Sequence, residues 1–267
     1  MARADCPLCS GTGWKTVERS EGNGGRRIAV RCDCSLADRG TRILERARIP
    51  RRYEHCDFDN FDLDVHDEGP QAQAWNQDLR KALLLVRSFA REYGPGAEHG
   101  LLLMGPCGAG KTHLAVAALK EIVQRGHMGL FYDYRELLKA IQSCYNPVSQ
   151  TTEMEVLDPV LTAEVLLLDD LGASKPSAWA LETVGHILNT RYNEKRVTLA
   201  TTNFLDREAR ERAGAVLPTG QTVRTEDSLA DRVGQRIRSR LYEMCRTVEI
   251  LVPDYRKEIR QAGRYHA

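Results

Sequence analysis

One eight-residue segment, Gly-Pro-Cys-Gly-Ala-Gly-Lys-Thr at positions 105–112, constrains the fold more than any other part of the chain. It satisfies the spacing G-x-x-x-x-G-K-[ST], whose glycines let successive backbone N–H groups wrap closely around an anion. The apolar run Leu101–Met104 precedes it and the helical pattern Lys111–Gln124 follows. This strand–loop–helix context predicts a phosphate-binding loop facing the positive end of a helix dipole.

The residue types in this loop indicate ATP bound together with Mg²⁺. A lysine here reaches the β- and γ-phosphates, which is the role we predict for Lys111, and the hydroxyl of Thr112 is a ligand for Mg²⁺. Cys107 is interpreted as a tolerated filler. The predicted nucleotide contacts are Gly105, Pro106, Cys107, Gly108, Ala109, Gly110, Lys111, Thr112 and His113.

Two acids follow a buried strand and complete the metal side of this site. Val165–Leu168 is entirely apolar and is followed at once by Asp169 and Asp170. We predict that Asp169 holds Mg²⁺ and that Asp170 orients or deprotonates the attacking water. The alternative for Asp170 is a loop residue that caps the following segment.

Strand and helix patterns alternate along the rest of the chain. Continuous apolar strands separated by helices predict an α/β fold, a parallel sheet with helices on both faces. Further strands are expected at Met128–Tyr132, Val197–Thr201 and Thr247–Val252. Further helices are expected at Gln71–Tyr93, Tyr134–Cys144, Asp158–Ala163, Ala178–Asn193, Ser228–Met244 and Asp254–Gln261.

The composition is that of an ordinary globular protein. Of the 267 residues, 42% are hydrophobic and 28% are charged, and the net charge is +1. No run is apolar and long enough to cross a membrane, and the first residues lack the apolar region of a secretory signal. We therefore expect a cytoplasmic protein without a membrane partner, in which the eight cysteines are thiols or metal ligands rather than disulfides.

Shifts in composition predict three parts. Residues 1–36 are rich in Gly and Cys and form a small zinc-ribbon-like module, in which Gly22–Gly25 makes a hairpin turn. Residues 37–69 comprise a basic helix, beginning at Leu36 and stopped by Pro50, and an acidic linker. Residues 70–267 form the nucleotide-binding domain. The basic cluster 39–52 is either a solvated helix face or a contact with nucleic acid or a partner.

The N-terminal cysteines have the spacing of a Zn²⁺ site. Cys6 and Cys9 form a C-x-x-C pair, and a hairpin returns Cys32 and Cys34 to them. The second pair is C-x-C, so the pair at His55 and Cys56 stays open as an alternative source of one ligand. With few apolar residues, this segment is expected to need the metal to fold.

The order of these motifs resembles that of AAA+ ATPases. The phosphate loop, the Asp-Asp strand end, Leu-Ala-Thr-Thr-Asn at 199–203, an Arg-rich helix and Asp254-Tyr-Arg256 are most similar to the bacterial replicative helicase loaders of the DnaC/DnaI type and to IstB-like ATP-binding proteins. The resemblance covers roughly residues 50–260. The two helices predicted between strands 128–132 and 165–168 resemble the helical insertion of the initiator branch.

The resemblance implies roles for three more residues. Asn203 matches the sensor-1 residue that contacts the γ-phosphate or the lytic water, and its amide can both donate and accept. Arg256 matches the sensor-2 arginine of the same subunit. Arg240 matches the arginine finger that enters a neighbour's ATP site, so a homo-oligomer joined through arginine-finger interfaces is implied. Arg232 and Arg236 stay open as alternatives for the finger.

The implied function is that of a DNA replication helicase loader. Such a protein binds ATP and hydrolyses it slowly to load a replicative DNA helicase on single-stranded DNA. Many AAA+ enzymes have Glu where this chain has Asp170, and the shorter side chain favours slow hydrolysis. The alternatives are an IstB-type ATPase that regulates a transposase and a nucleotide-bound adaptor without significant hydrolysis.

Overall fold

The computed structural model of the protein describes residues 5–19, 26–32, 34, 44–64, 70–206 and 227–258. The predicted turn at Gly22–Gly25 lies outside these ranges. The strands on either side of it, β1 (Trp14–Arg19) and β2 (Arg26–Arg31), pair antiparallel in a two-stranded sheet. Within the described ranges, every helix is too short or too polar to cross a bilayer.

The main sheet has five parallel strands, which lie side by side in the order 129–133, 165–169, 197–202, 100–104 and 245–249. Four of them are largely apolar runs buried along nearly their whole length, as parallel strands covered by helices must be, whereas the edge strand 245–249 is partly exposed. The α/β architecture expected from the sequence is thereby confirmed. The strands are β3 (Gly100–Met104), β4 (Gly129–Asp133), β5 (Val165–Asp169), β6 (Val197–Thr202) and β7 (Cys245–Glu249).

Helices cover both faces because successive strand residues point in opposite directions. Leu101 and Leu103 pack with the first two helices, whereas Leu102 and Met104 pack with those that follow β4 and β5. The helices are α1 (Pro70–Glu92), α2 (Lys111–Gln124), α3 (Tyr134–Ser143), α4 (Glu153–Thr162), α5 (Ala178–Asn193), α6 (Leu229–Val233), α7 (Gln235–Met244) and α8 (Tyr255–Glu258).

The predicted continuous helix Ser228–Met244 is wrong. Gly234 has φ +82°, a left-handed conformation that ends α6 and lets α7 start in a new direction. The predicted helix Asp158–Ala163 begins earlier, at Glu153, because Thr152 and Glu155 form a capping box. The last strand is also shifted, since β7 starts at Cys245 directly after α7.

The segment 44–64 packs on the core of the main domain. Ala47, Cys56 and Phe58 belong to the same hydrophobic cluster as α1 and α2. The N–H of Phe131 on the outer strand β4 donates to the carbonyl of Ala47 at 2.7 Å. Residues 44–46 are helical, and the remainder of the predicted basic helix lies outside the described residues. The division of the chain at 36 and 69 stays a prediction.

A buried arginine fastens the helical insertion α3–α4 to the sheet. Arg191 on α5 is fully buried and donates to the carbonyls of Val160 and Ala163 at the end of α4, at 2.8 and 3.0 Å. It also donates to Thr198 Oγ1 on β6 at 3.0 Å. Because a buried guanidinium needs all its donors satisfied, these bonds fix the end of α4 relative to β6.

Candidate functional site

The loop 105–110 joins β3 to α2 at the carboxyl edge of the sheet, where parallel α/β folds bind ligands. All three of its glycines have positive φ and close neighbours. A Cβ at Gly108 would lie 1.8 Å from Asp254 Oδ1, and one at Gly110 would lie 2.6 Å from the ring of Phe61. The loop can therefore keep this path only with glycine at both positions.

Lys111, the first residue of α2, is buried beneath the loop. Its ammonium donates to the carbonyl of Pro106 and to Oδ1 of Asn203, both at 2.7 Å. Burial lowers the pKa of Lys111 to about 8, while Cys107, Asp170 and Asp169 oppose the shift. A buried cation surrounded by backbone N–H groups is a site for a polyanion.

Asp169, at the end of β5, receives two hydroxyl hydrogen bonds. Thr112 donates to its Oδ1 at 2.8 Å, and Thr201 of β6 donates to the same atom at 2.6 Å. Burial raises the pKa of this carboxyl above its usual range, and the two hydroxyls act against that rise. A buried carboxylate beside a threonine hydroxyl matches the oxygen ligands that Mg²⁺ prefers.

Asp170 lies next to this pair in a left-handed conformation, with φ +58°. Its Oδ1 accepts from Asn203 Nδ2 at 2.6 Å, and its Oδ2 lies 3.3 Å from a terminal nitrogen of Arg135. The amide of Asn203 thus bridges the Lys111 ammonium and the Asp170 carboxylate. Lysine, amide and acid form a continuous network beside the loop.

Sequence reasoning missed two members of this network, Arg135 and Thr201. Arg135 comes two residues after the end of β4, and Thr201 is the penultimate residue of β6. Both strands neighbour β5, so these positions near the carboxyl edge carry the same signal that identified Asp169. The N–H of Asp170 donates to Thr201 Oγ1 at 2.9 Å. Thr201 therefore orients both consecutive acids.

An aromatic wall lies on the other side of Gly110, formed by the predicted nucleotide contact His113 and by Phe61, which sequence reasoning missed. The rings of Phe61 and His113 meet edge to face, with centroids 5.3 Å apart, and both side chains are half-buried. His113 Nε2 donates to the carbonyl of Asp57 at 2.9 Å. Burial lowers the pKa of His113 below its ordinary value.

The segment 254–256 reaches the phosphate loop from β7. Asp254 lies against Gly108, and the N–H of Tyr255 donates to the carbonyl of Gly108 at 3.3 Å. The N–H of Arg256 donates to Oδ1 of Asp254 at 2.9 Å. The structure thus brings the predicted sensor-2 arginine to the loop.

The three arginines considered for the finger have different surroundings. Arg232 is held within the chain, 4.5 Å over the ring of Phe204 and 3.1 Å from Asp227. Arg236 and Arg240 both line a groove of about 500 Å³ between α5 and α7. Arg240 lies 5.7 Å from the ring of Tyr192.

Topology separates Arg240 from the phosphate loop of its own chain. It lies one turn before Met244, and the next residue starts β7 at its amino end. The loop follows the carboxyl ends of the strands, at the opposite edge of the sheet. Arg240 therefore lies away from the phosphate loop of its own chain, and its role as an arginine finger stays a prediction.

The four N-terminal cysteines come together in space. The sulfurs of Cys6, Cys9, Cys32 and Cys34 all lie within 4.8 Å of one another. The distance is 3.7 Å from Cys6 to Cys32 and 3.5 Å from Cys9 to Cys34. Four thiolates at 2.3 Å from a tetrahedral Zn²⁺ lie roughly 3.8 Å apart, so the cluster fits zinc.

The pair at His55 and Cys56, the alternative source of one metal ligand, has different surroundings. Cys56 is buried in the core of the main domain, where burial raises the pKa of its thiol to about 11. The group of metal-ligating side chains in the described part of the chain contains neither Cys56 nor His55.

Comparison with known proteins finds similarity to the same families that the sequence motifs indicate. The sequence family described as "IstB-like ATP binding protein" matches residues 36–220. The replicative helicase loader DnaC of Buchnera aphidicola subsp. Acyrthosiphon pisum (strain APS) is 25% identical over 163 residues, which are 61% of this chain and 61% of that protein. The replicative helicase loader DnaI of Bacillus subtilis (strain 168) is 30% identical over 121 residues, 45% of this chain and 38% of its own length.

Among solved structures, the crystal structure of the DnaC helicase loader superimposes with a TM-score of 0.57 at 31% identity. The match covers 75% of this chain and 99% of that one. The chain thus spans nearly all of this solved structure. It spans only 61% of the length of the Buchnera DnaC protein.

Proposed function

Because the chain belongs to the IstB-like ATP-binding protein family and is a DnaC/DnaI-type AAA+ protein, we propose that it is an ATP-dependent loader of a replicative DNA helicase. The single observation that carries the proposal is the network of Lys111, Asn203, Asp170, Asp169 and Thr112 at one edge of the sheet. That network can bind a nucleoside triphosphate and respond to its γ-phosphate. The similarity to helicase loaders supports the choice of partner.

ATP is proposed to bind with its phosphates inside the loop 105–112. Thr112 and Asp169 would hold Mg²⁺, which supplies charge neutralisation for the phosphates when it is bound. Lys111 would exchange its bond to Pro106 for the phosphate oxygens. The adenine base of ATP would lie on the side of Phe61 and His113, whose rings form an apolar wall next to Gly110.

Hydrolysis is proposed to depend on Asp170 as the base and on Asn203 as the sensor of the γ-phosphate. Asn203 contacts both Lys111 and Asp170, so a phosphate that binds Lys111 changes the bonds that hold the acid. Arg256 would act from the same chain, and Arg240 from a neighbour in a homo-oligomer. A turnover above about 10 s⁻¹, an ordinary rate for enzymes, would contradict the slow hydrolysis inferred from the short Asp170.

The helical insertion is the proposed contact with single-stranded DNA. Tyr145, after α3, is exposed and meets Trp179 of α5 edge to face at 6.3 Å. The hydroxyl of Tyr145 also donates to Glu153 at the start of α4, at 2.9 Å. Exposed aromatic rings are the stacking platforms that single-stranded nucleic acids use, independently of sequence.

The cysteine module is proposed to bind one Zn²⁺ and to present a surface to the helicase. We expect one zinc per chain by elemental analysis of the purified protein, and its loss in Cys9→Ser because three thiolates leave the tetrahedral site open. ATP binding should persist in this variant, since the main domain has its own core. Cys144→Ser is the matched control and should retain the zinc. Metal-free wild-type protein, or retention of zinc by Cys9→Ser, would contradict the assignment.

The experiment that tests the function combines the protein with the replicative helicase of the same organism and single-stranded DNA covered by binding protein. We expect strand unwinding to begin only when both the protein and ATP are present, and we expect Lys111→Ala to support no unwinding.

The family name also favours a second candidate function, that of an ATPase that regulates a transposase. ATP-dependent binding to a transposase, without any effect on helicase loading, would favour this second function. A nucleotide-bound adaptor would support loading with a nonhydrolysable ATP analogue through repeated rounds.

A further inference from the structure

Lys120 is a buried lysine with no role in the phosphate site. It lies on α2, seven residues after His113, and only 7% of its surface is exposed. Its ammonium donates to the carbonyls of Glu54 and Cys56 at 2.8 and 3.0 Å and to Asp57 Oδ1 at 2.7 Å. All three donors of the ammonium therefore have partners, which is the arrangement a buried charge requires.

These three bonds fasten the segment 54–57 to the helix that carries the phosphate loop. His113, two turns earlier on the same face of α2, holds the carbonyl of Asp57 as well. Asp57 in turn caps the short 3₁₀ helix Phe58–Asn60, and its N–H donates to Asn60 Oδ1 at 2.9 Å. Phe61 follows immediately and reaches Gly110.

We infer that Lys120 is a positioning residue for the part of the nucleotide site that would hold the adenine base. Its ammonium holds the segment 54–57 so that Phe61 lies against Gly110 and His113. This inference rests on the proposed binding of ATP at the loop. Arg87 of α1 also holds the 54–61 segment, because it pairs with Asp59 at 3.0 Å, but among the described residues it is Lys120 and His113 that bind the segment to α2. Without the lysine, the entropy cost of ordering Phe61 against the adenine base would reduce the free energy of ATP binding.

Lys120 is expected to affect the binding of the adenine base but not the binding of the phosphates, and this difference can be tested. Lys120→Met keeps an unbranched side chain that is one atom shorter and removes the charge. We expect its affinity for Mg·ATP to fall about tenfold, which corresponds to 1.4 kcal/mol, while its affinity for inorganic Mg·tripolyphosphate stays within about twofold of the wild type. Both are measured by titration calorimetry. Hydrogen exchange should increase at residues 54–61 and stay unchanged in β3 and β5.

Lys81→Met, a change of an exposed lysine on α1, is the matched control and should bind both ligands as the wild type does. An unchanged affinity of Lys120→Met for ATP, or an equal loss for ATP and tripolyphosphate, would overturn the inference. If Lys120→Met does not fold, Asp57→Ala removes one of the three acceptors, and the same selective loss of ATP affinity is expected. Failure of the wild type to bind ATP would refute the proposed function instead.

Discussion

Replacing Asp170 with asparagine is expected to lower ATP hydrolysis by about a hundredfold or more and to leave ATP affinity within a few-fold of the wild type. An amide cannot take the proton of the attacking water, and removing a positioned base typically costs at least two orders of magnitude. The substitution isolates the charge well. Asparagine tolerates the φ of +58° at this position, and it can still accept a hydrogen bond from Asn203.

Hydrolysis is followed by phosphate release in single-turnover conditions, and affinity by calorimetry with a nonhydrolysable analogue. Asp158→Asn on α4, an exposed acid outside the network, is the control and should hydrolyse ATP at the wild-type rate. Wild-type hydrolysis by Asp170→Asn would show that another group activates the water. If ATP affinity fell by as much as the rate of hydrolysis, Asp170 would instead contribute to binding ATP.

Arg240→Ala is expected to have the second large effect, a loss of about a thousandfold in hydrolysis with nucleotide affinity unchanged. A guanidinium supplied to a developing phosphoryl charge contributes about 10³–10⁵ in rate in analogous systems. The position of Arg240, toward the amino ends of the strands, points it away from its own phosphate loop. The loss should therefore depend on a neighbouring subunit.

Mixing two inactive variants tests this dependence directly. Arg240→Ala binds ATP but lacks the finger, whereas Lys111→Ala retains the finger but has an impaired loop. Mixed oligomers should recover part of the activity, with a maximum at intermediate ratios. Recovery at no ratio would contradict action between subunits. Arg236→Ala, in the same groove but one turn earlier, distinguishes the two candidates and is expected to retain most of the rate.

The sequence signals for the centre of the candidate site are local, and the structure brings the residues that carry them together. The loop 105–112 and the acids Asp169 and Asp170 each follow an apolar strand, and parallel strands bring such positions to one edge. The cysteine pairs were equally local, and the structure brings all four sulfurs together. The fold class followed from the alternation of apolar strands with helices.

What the sequence could not predict depends on long-range contacts. Phe61 and Lys120 are ordinary residues in their own segments, and their importance comes from an encounter between chain positions about sixty residues apart. The break at Gly234 was missed because apolar spacing continues through it from Leu229 to Leu241. The capping box that starts α4 at Thr152 is a recognisable local signal that was overlooked.

The most direct test of the central claim is calorimetric titration of the zinc-loaded protein with ATP in the presence and absence of Mg²⁺. The account predicts saturable binding of one ATP per chain, strengthened by Mg²⁺ and reduced at least a hundredfold in Lys111→Ala. Absence of detectable binding at millimolar ATP in a folded sample, or binding that Lys111→Ala retains in full, would contradict it.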